Sequence, residues 1–196
     1  MSTRGAIGFK VKGKMVQMYN HCDSYPEGLG AEMVHALINE VIIPGRMQEF
    51  KEKLLRLKAV KQDAHPAVKW AKFYANQGAS DGSTSDGLDW YATMRNFQGA
   101  VCISAILNDR MKHYMPYNCR SKDSWGCEYG YILDFDKGEL KMYEDPYKRA
   151  SKPVVYGFPS VRTSSVALKF QLEKFLAEIT KSEPDNPPGT QRKKTY

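Results

Sequence analysis

Alternating apolar and polar positions mark two β-hairpins along the chain. In the first, Ile7, Phe9 and Val11 lie on one side of a strand, and a Lys-Gly-Lys turn leads into a second strand. In the second hairpin, the turn Asp136-Lys137-Gly138 separates two alternating runs. The four predicted strands are residues 5–12, 15–21, 128–135 and 139–143. A period of two with glycine in the turn is typical of antiparallel strand pairs.

Between and after the hairpins, apolar residues recur at intervals of three and four, which predicts helices. The first helix begins at Ala31 and stops at Pro44-Gly45, and the third begins at His65-Pro66, where proline suits the first helical turn. The other predicted helices are residues 46–61, 88–98, about 99–107 and about 167–180. Residues 77–87 are rich in Gly, Ser and Asp, which predicts a long loop.

The order of these elements predicts an α+β fold with an antiparallel sheet. Isolated hairpins are only marginally stable, so we expect the two hairpins to join in one sheet of four or more strands with several flanking helices. A chain of 196 residues can form one domain, which we expect to span residues 1–181. Residues 182–196 hold three prolines and Arg192-Lys193-Lys194, which predicts a disordered basic tail.

The formal net charge of +7 favours anionic partners such as nucleotides or nucleic acid. The predicted tail carries part of this charge, and the lysines at positions 51, 53, 58 and 61 fit a solvated helix face. Non-specific nucleic-acid binding through the tail is therefore one function that the sequence leaves open.

Other features bear on location and cofactors. No apolar run approaches the roughly 18 residues of a membrane span, and the first residues lack the apolar segment of a secretory signal. We therefore expect a cytoplasmic protein with no membrane partner. The four cysteines form no CxxC pair, and His113, Cys119 and Cys127 match no common zinc spacing. We expect reduced thiols, no metal and no cofactor.

The segment from Tyr19 to Gly30 is the strongest candidate for a site. Strand alternation places Tyr19, His21 and Asp23 on one face, and a Pro-Glu-Gly-Leu-Gly turn then precedes a helix. Backbone N–H groups at a helix N-terminus carry partial positive charge, so we expect the amides from Gly28 to Ala31 to hold a phosphate. The other expected ligand-binding residues are Arg4 as a charged fork, Tyr19, Tyr25 and Trp90 as stacking faces, and Arg95 and Gln98.

Other interpretations of the same residues remain open. A plain strand-to-helix turn uses the same glycines, with Asp23 or Ser24 serving only local backbone donors. His21 and Asp23 could instead act as a general acid and base, because residues two apart on a strand lie about 7 Å apart. Trp90, Tyr91 and Phe97 are most simply the core and rim of a helix that packs on the sheet.

A hydrolytic alternative starts from Ser2. A Ser-Thr start, a glycine-containing strand and an Asn-x-x-Asp segment are similar to amidohydrolases of the N-terminal nucleophile class. The resemblance implies Ser2 as nucleophile, activated by its own α-amine, with Asn20 and Asp23 as the orienting pair. That class has a four-layer sandwich, which needs more strands than this sequence predicts. Whether the protein is an enzyme stays open, with hydrolysis as the expected reaction class if it is one.

Ordered landmarks along the chain resemble a group of uncharacterised phage and bacterial proteins. The landmarks are Thr3-Arg4, Tyr19 to Gly30, Asp89 to Gly99 and Tyr131 to Asp136. The resemblance implies a viral or prokaryotic setting and no particular reaction. The expected function is that of an accessory protein, in an anti-defence or host-interaction role, that binds a phosphorylated or nucleotide ligand or a host factor.

Overall fold

The computed structural model describes residues 3–78, 89–121, 126–146, 152–157 and 165–181. Ser2, most of the predicted loop at 77–87 and the predicted tail at 182–196 lie outside these ranges.

Five of the strands in the described chain form one sheet. The strands are β1 (Arg4–Val11), β2 (Lys14–Asn20), β3 (Lys58–Ala59), β4 (His113–Tyr114), β5 (Cys127–Asp134), β6 (Glu139–Glu144) and β7 (Val154–Gly157). The large sheet has the order β2-β1-β5-β6-β7, and β3 pairs with β4 apart from it. Both predicted hairpins are present, as the antiparallel pairs β1–β2 and β5–β6.

The predicted α+β class is confirmed, but the sheet is mixed and not wholly antiparallel. β1 pairs with β5 in parallel, with Ile7 opposite Tyr131 and Phe9 opposite Leu133. The hairpins do not build the sheet alone, because β7 extends it beside β6. β2 returns the chain to the end of the sheet where β1 begins, and the helical connection between β2 and β5 starts and finishes at that end, so β5 runs parallel to β1.

Helices fill most of that connection and follow the last strand. They are α1 (Ala31–Ala36), α2 (Met47–Arg56), α3 (Val68–Ala75), α4 (Trp90–Met94), α5 (Val101–Leu107) and α6 (Ser165–Lys181). Two π-helical segments, Pro26–Gly30 and Leu37–Ile42, flank α1, and a 3₁₀ turn, Arg95–Phe97, follows α4. Each predicted helix therefore has a counterpart among these elements.

Two of the predicted helices have different ends. The helix predicted over 46–61 ends at Arg56, because Leu57 has an extended backbone with ψ of 136° that leads into β3. The helix predicted from His65-Pro66 begins only at Val68, because Ala67 is also extended, with ψ of 149°. The chain between α2 and α3 is thereby free to pair with β4 and with the start of α4.

The core lies between the helices and one face of the sheet. Ile7 and Phe9 of β1 are fully buried on this face. The ring of Phe50 in α2 meets Phe9 edge to face, with centroids 5.3 Å apart. Burying one such side chain stabilises the folded state by about 1.5–3 kcal/mol. The Tyr131 hydroxyl donates to the carbonyl oxygen of Ser24 at 2.9 Å, which ties β5 to the turn before α1.

Lys14, at the start of β2, holds the end of α2. Its ammonium group donates to the carbonyl oxygens of Leu54, Leu55 and Leu57 at 3.3, 3.0 and 2.7 Å. The last carbonyls of a helix have no partner within the helix, and positive charge is favourable at that end. The contact therefore fixes α2 to the first hairpin and caps it.

Candidate functional site

Three of the predicted site residues line one cleft. Arg4, Tyr19 and His21 surround a space of about 290 Å³. The cleft is completed by Gln62, Tyr91, Met115, Pro116 and Tyr117. We call this space the Tyr19 cleft.

The register of the first hairpin explains why these three residues meet. Tyr19 of β2 lies opposite Ala6 of β1. Arg4 shares a face with Ala6, because side chains two apart in a strand point the same way. His21 is the first residue after β2 and lines the same cleft as Tyr19. The Tyr19 hydroxyl lies 3.1 Å from Nδ1 of His21, so the two side chains are joined by a hydrogen bond.

Tyr117 forms a second aromatic wall. Its ring centroid lies 5.3 Å from that of Tyr19, with the planes inclined at 60°. The Tyr117 amide donates to the carbonyl oxygen of Gln17 at 2.8 Å, which attaches this irregular segment to β2. A ligand ring entering the cleft therefore meets two phenol faces of different orientation.

Tyr91 reaches the cleft from the helical side. Asp89 caps α4 by accepting a hydrogen bond from the Ala92 amide at 2.8 Å. The Tyr91 amide in turn donates to the carbonyl oxygen of Gln62 at 3.1 Å. These contacts hold the first turn of α4 against the segment that follows β3, and so position both Tyr91 and Gln62.

The charge on the cleft is positive. Among the described residues, no acidic side chain lines the cleft and the Arg4 guanidinium forms no ion pair. Burial raises the pKa of Tyr19, although nearby Arg4 acts in the opposite direction. Burial also raises the pKa of Tyr117. Both phenols therefore keep their protons near neutral pH, and their rings stay uncharged.

Asp23 does not join His21 in an acid-base pair. β2 ends at Asn20, and Asp23 has a left-handed backbone with φ of 52°, so strand alternation no longer holds there. Its side chain is exposed and does not line the Tyr19 cleft. Its carbonyl oxygen accepts a hydrogen bond from the Leu29 amide at 2.8 Å. The prediction that Tyr19, His21 and Asp23 share one strand face is wrong for Asp23.

The amides predicted to hold a phosphate are already occupied. The Gly28 amide donates to the carbonyl oxygen of Tyr25 at 3.1 Å, and the amides of Leu29, Gly30 and Ala31 also donate to backbone carbonyls. They are therefore not open donors, and this part of the predicted anion site is wrong. Tyr25 is exposed and lies outside the residues that line the cleft.

Close packing explains why the chain has glycine at positions 28 and 30. A Cβ at Gly28 would lie 2.2 Å from the carbonyl oxygen of Asp23, and a Cβ at Gly30 would lie 2.9 Å from the ring of Tyr131. Only glycine allows the chain to approach this closely. The Gly-Leu-Gly pattern thus has a structural cause here.

The remaining predicted ligand residues also lie elsewhere. Trp90 is buried against His113, with ring centroids 4.6 Å apart, so it belongs to the core and offers no open stacking face. Arg95 is exposed and lies outside the cleft lining. Gln98 lines a cavity of about 20 Å³ next to Tyr19, and its Nε2 has no hydrogen-bond partner among the described residues. Such a volume holds one water molecule.

Sequence reasoning missed Gln62, Tyr91 and Tyr117 as site residues. Tyr91 was predicted at the core or rim of a packed helix, and it is only partly buried. Gln62 and Tyr117 lie in irregular segments next to β3 and β4, where no periodicity indicates which way a side chain points. The two-residue strands that place these segments carry no sequence signal of their own.

Over the ranges that the structure describes, no group of three or more His, Cys, Asp and Glu side chains is arranged to hold a metal ion. Cys119 and Cys127 instead pack together against Ala6. Nor does any helix within those ranges combine the length and apolar character needed to cross a bilayer.

Comparisons of the chain with protein-family models, with curated proteins and with solved structures find no match. They therefore give no support to the phage or bacterial setting that the landmark resemblance implies.

Proposed function

We propose that the protein binds a phosphorylated ligand with an aromatic ring, such as a mononucleotide, in the Tyr19 cleft. The observation that carries the proposal is the Arg4 guanidinium, which has no ion pair among the described residues and lines one cleft with three phenols. The positive net charge of the chain is consistent with such a ligand.

The cleft offers two kinds of contact for such a ligand. A guanidinium presents a planar fork of N–H donors that matches two oxygens of a phosphate. The rings of Tyr19 and Tyr117 offer faces for a base, and stacking of a base on an aromatic side chain contributes about 1–3 kcal/mol. The space of about 290 Å³ is at the lower end of small-molecule sites, which favours a single nucleotide over a dinucleotide.

A hydrolytic function has less support. Among the described residues that line the Tyr19 cleft, none is Ser, Thr or Cys, so these residues provide no hydroxyl or thiol nucleophile of the usual kind. Ser2 lies outside the described residues. The described strands form one five-stranded sheet and a separate pair, whereas the N-terminal nucleophile class has two stacked sheets. Binding is therefore the better supported proposal.

Isothermal titration and thermal unfolding with nucleoside monophosphates test the proposal. A ligand that binds only the folded state raises the melting temperature, so at least one nucleotide is expected to bind and to shift it. Arg4→Ala is expected to weaken that binding by about tenfold or more, because a charge-assisted contact is lost. Arg95→Ala is the matched control, since Arg95 is exposed and lies outside the cleft lining.

The nucleoside without its phosphate separates the two contacts. It is expected to bind more weakly than the nucleotide in the unmodified protein and equally weakly in Arg4→Ala. Nucleotide binding that is unchanged by Arg4→Ala, or no binding by any nucleotide at millimolar concentration, would overturn the proposal.

A further inference from the structure

A second cleft surrounds a buried histidine and shares no lining residue with the Tyr19 cleft. It encloses about 210 Å³. Its charged lining residues are Lys53, Arg56, Lys58, Lys112 and Asp109. His113 and Trp70 also line it. We call this space the His113 cleft.

The parallel pair β3–β4 builds one wall of this cleft. Lys58 lies directly opposite His113 in the register of the pair. The Lys58 amide donates to the carbonyl oxygen of Lys112 at 3.1 Å, which fixes that register. Residues opposite each other in a strand pair project to the same face, so the side chains of Lys58 and His113 both line the cleft.

Hydrogen bonds fix which nitrogen of His113 carries the proton. The Tyr74 hydroxyl accepts from the backbone amides of Lys112 and His113 at 3.0 and 3.1 Å. The Tyr74 hydroxyl therefore donates its own proton to Nδ1 of His113, which lies 3.1 Å away. Nδ1 is therefore an acceptor, and the neutral ring carries its proton on Nε2.

The Nε2–H group of His113 is a donor without a partner in the described chain. His113 is only 4% exposed, and no hydrogen bond from Nε2 to a described residue exists. Its ring packs against Trp70 at 4.5 Å and Trp90 at 4.6 Å between centroids. Burial lowers the pKa of His113 to about 4, and the charges of Lys58 and Lys69 act in the same direction. Near neutral pH the ring is therefore a neutral donor.

Of the charged side chains around this Nε2–H donor, some form close ion pairs and others do not. Lys53 contacts the Asp109 carboxylate at 2.7 Å, and Lys112 also forms an ion pair with Asp109. That one carboxylate is thus held by two ammonium groups. Arg56 has only a distant contact of 3.9 Å to Glu52, and Lys58 has no ion pair within the described part of the chain. Two cations therefore remain available for an anion.

From this arrangement we propose that the His113 cleft binds a phosphate monoester of a small aromatic molecule. Lys58, Arg56 and the Nε2–H group of His113 contact the phosphate oxygens, and Trp70 packs against the aromatic part. A phosphate accepts several hydrogen bonds at once, which suits two cations with one neutral donor. The site is independent of the nucleotide proposed for the Tyr19 cleft, because the two clefts share no residue.

Phenyl phosphate, inorganic phosphate and phenol are the probes that test this proposal by isothermal titration. We expect phenyl phosphate to bind more tightly than either of the others, because only it fills both parts of the cleft. The double variant Arg56→Ala/Lys58→Ala is expected to lose at least about tenfold in affinity for phenyl phosphate. Both side chains are exposed, so the variant is expected to fold. Lys72→Ala, an exposed lysine of α3 outside the lining, is the matched control and is expected to bind normally.

A second measurement separates this site from the Tyr19 cleft. Phenyl phosphate is expected to shift the imidazole NMR signals of His113, and Arg4→Ala is expected to leave that shift intact. The inference is overturned if phenyl phosphate binds no better than inorganic phosphate, if Arg56→Ala/Lys58→Ala binds as the unmodified protein does, or if the His113 signals do not move at saturation.

Discussion

The hydroxyl of Tyr19 lies 3.1 Å from Nδ1 of His21, two residues further along the chain. This hydrogen bond joins the two rings at the end of β2, beside Arg4 on the neighbouring strand. Side chains that are already oriented lose less conformational freedom when a ligand arrives, so less of the interaction energy is spent on ordering them. The hydrogen bond therefore restricts two of the side chains that line the Tyr19 cleft.

Replacing Gly30 by alanine is expected to destabilise the protein. The new methyl group would lie 2.9 Å from the ring of Tyr131, which its hydrogen bond to Ser24 holds in place. Overpacking of this kind costs about 1–3 kcal/mol of the free energy of unfolding. Urea denaturation measures the loss. Gly8→Ala is the comparison variant, because the nearest atom to its new methyl group, a side-chain carbon of Gln17, lies further away at 3.2 Å. Equal stability of the two variants would contradict the packing described for Gly30.

Removal of the Lys14 side chain is expected to loosen the end of α2. Lys14→Ala leaves the carbonyl oxygens of Leu54, Leu55 and Leu57 without their ammonium partner. We expect a loss of about 1–2 kcal/mol in unfolding free energy, because hydrogen bonds to a charged group are worth more than neutral ones. Chemical denaturation gives this value, with Lys72→Ala as the control on an exposed helix face. A loss no larger than that of the control would show that Lys14 is not a cap.

Stability is expected to fall as the pH drops from about 6.5 towards 4. The buried His113 has a pKa of about 4, with desolvation as the main cause and Lys58 and Lys69 as further causes. Tyr74, Trp70 and Trp90 also face the ring and carry no charge near neutral pH. The unfolded chain binds this proton near pH 6.5, so it holds more protons than the folded chain between these values. The stabilisation is complete above pH 6.5 and is lost on acidification.

Two carboxylates are expected to add a second loss of folded-state stability at lower pH. Hydrogen bonds from Arg46 lower the pKa of Glu49 to about 2, and those from Lys112 lower the pKa of Asp109 to about 2. Their contribution is present above about pH 4.5 and is lost as the pH falls towards 2. An NMR titration of the His113 ring measures its pKa and so separates the loss of stability that His113 causes from the loss that the carboxylates cause. A His113 pKa of 6.5 or higher in the folded protein would contradict the first step.

Deleting residues 182–196 tests the basic tail. If the chain binds nucleic acid through Arg192-Lys193-Lys194, that binding weakens as the salt concentration rises, and the deletion is expected to abolish it. Binding of a mononucleotide in the Tyr19 cleft is expected to survive the same deletion. Gel-shift and titration measurements on the two proteins check both outcomes. Retained nucleic-acid binding after the deletion would assign it to residues 1–181.

Local signals predicted most of the secondary structure. Alternation around Ile7 and Phe9 and the turn at Gly138 depend on neighbouring residues, so both hairpins follow from the sequence. The parallel pairing of β1 with β5 depends on strand edges that are distant in sequence, and no local pattern encodes it. Likewise, Leu57 leaves the helical pattern because β3 finds its partner β4 far along the chain.

In the candidate site, too, local sequence patterns predict some features, and contacts between distant parts of the chain decide the others. Strand alternation predicts Tyr19 and His21 on one face, whereas the register that brings Arg4 beside them is seen only in the structure. The amides from Gly28 to Ala31 were predicted as open donors, but the chain folds back on itself there and uses them internally. Tyr117 could not be predicted, since it arrives from an irregular segment that only the tertiary structure positions.

The most direct test of the central claim is an NMR titration of the ¹⁵N-labelled protein with a nucleoside monophosphate. We expect saturable shifts of the Arg4 side-chain N–H signal and of the amides of Tyr91 and Tyr117, with the amides from Gly28 to Ala31 unmoved. Shifts confined to those glycine-turn amides, or no saturable shift at Arg4, would contradict the claim.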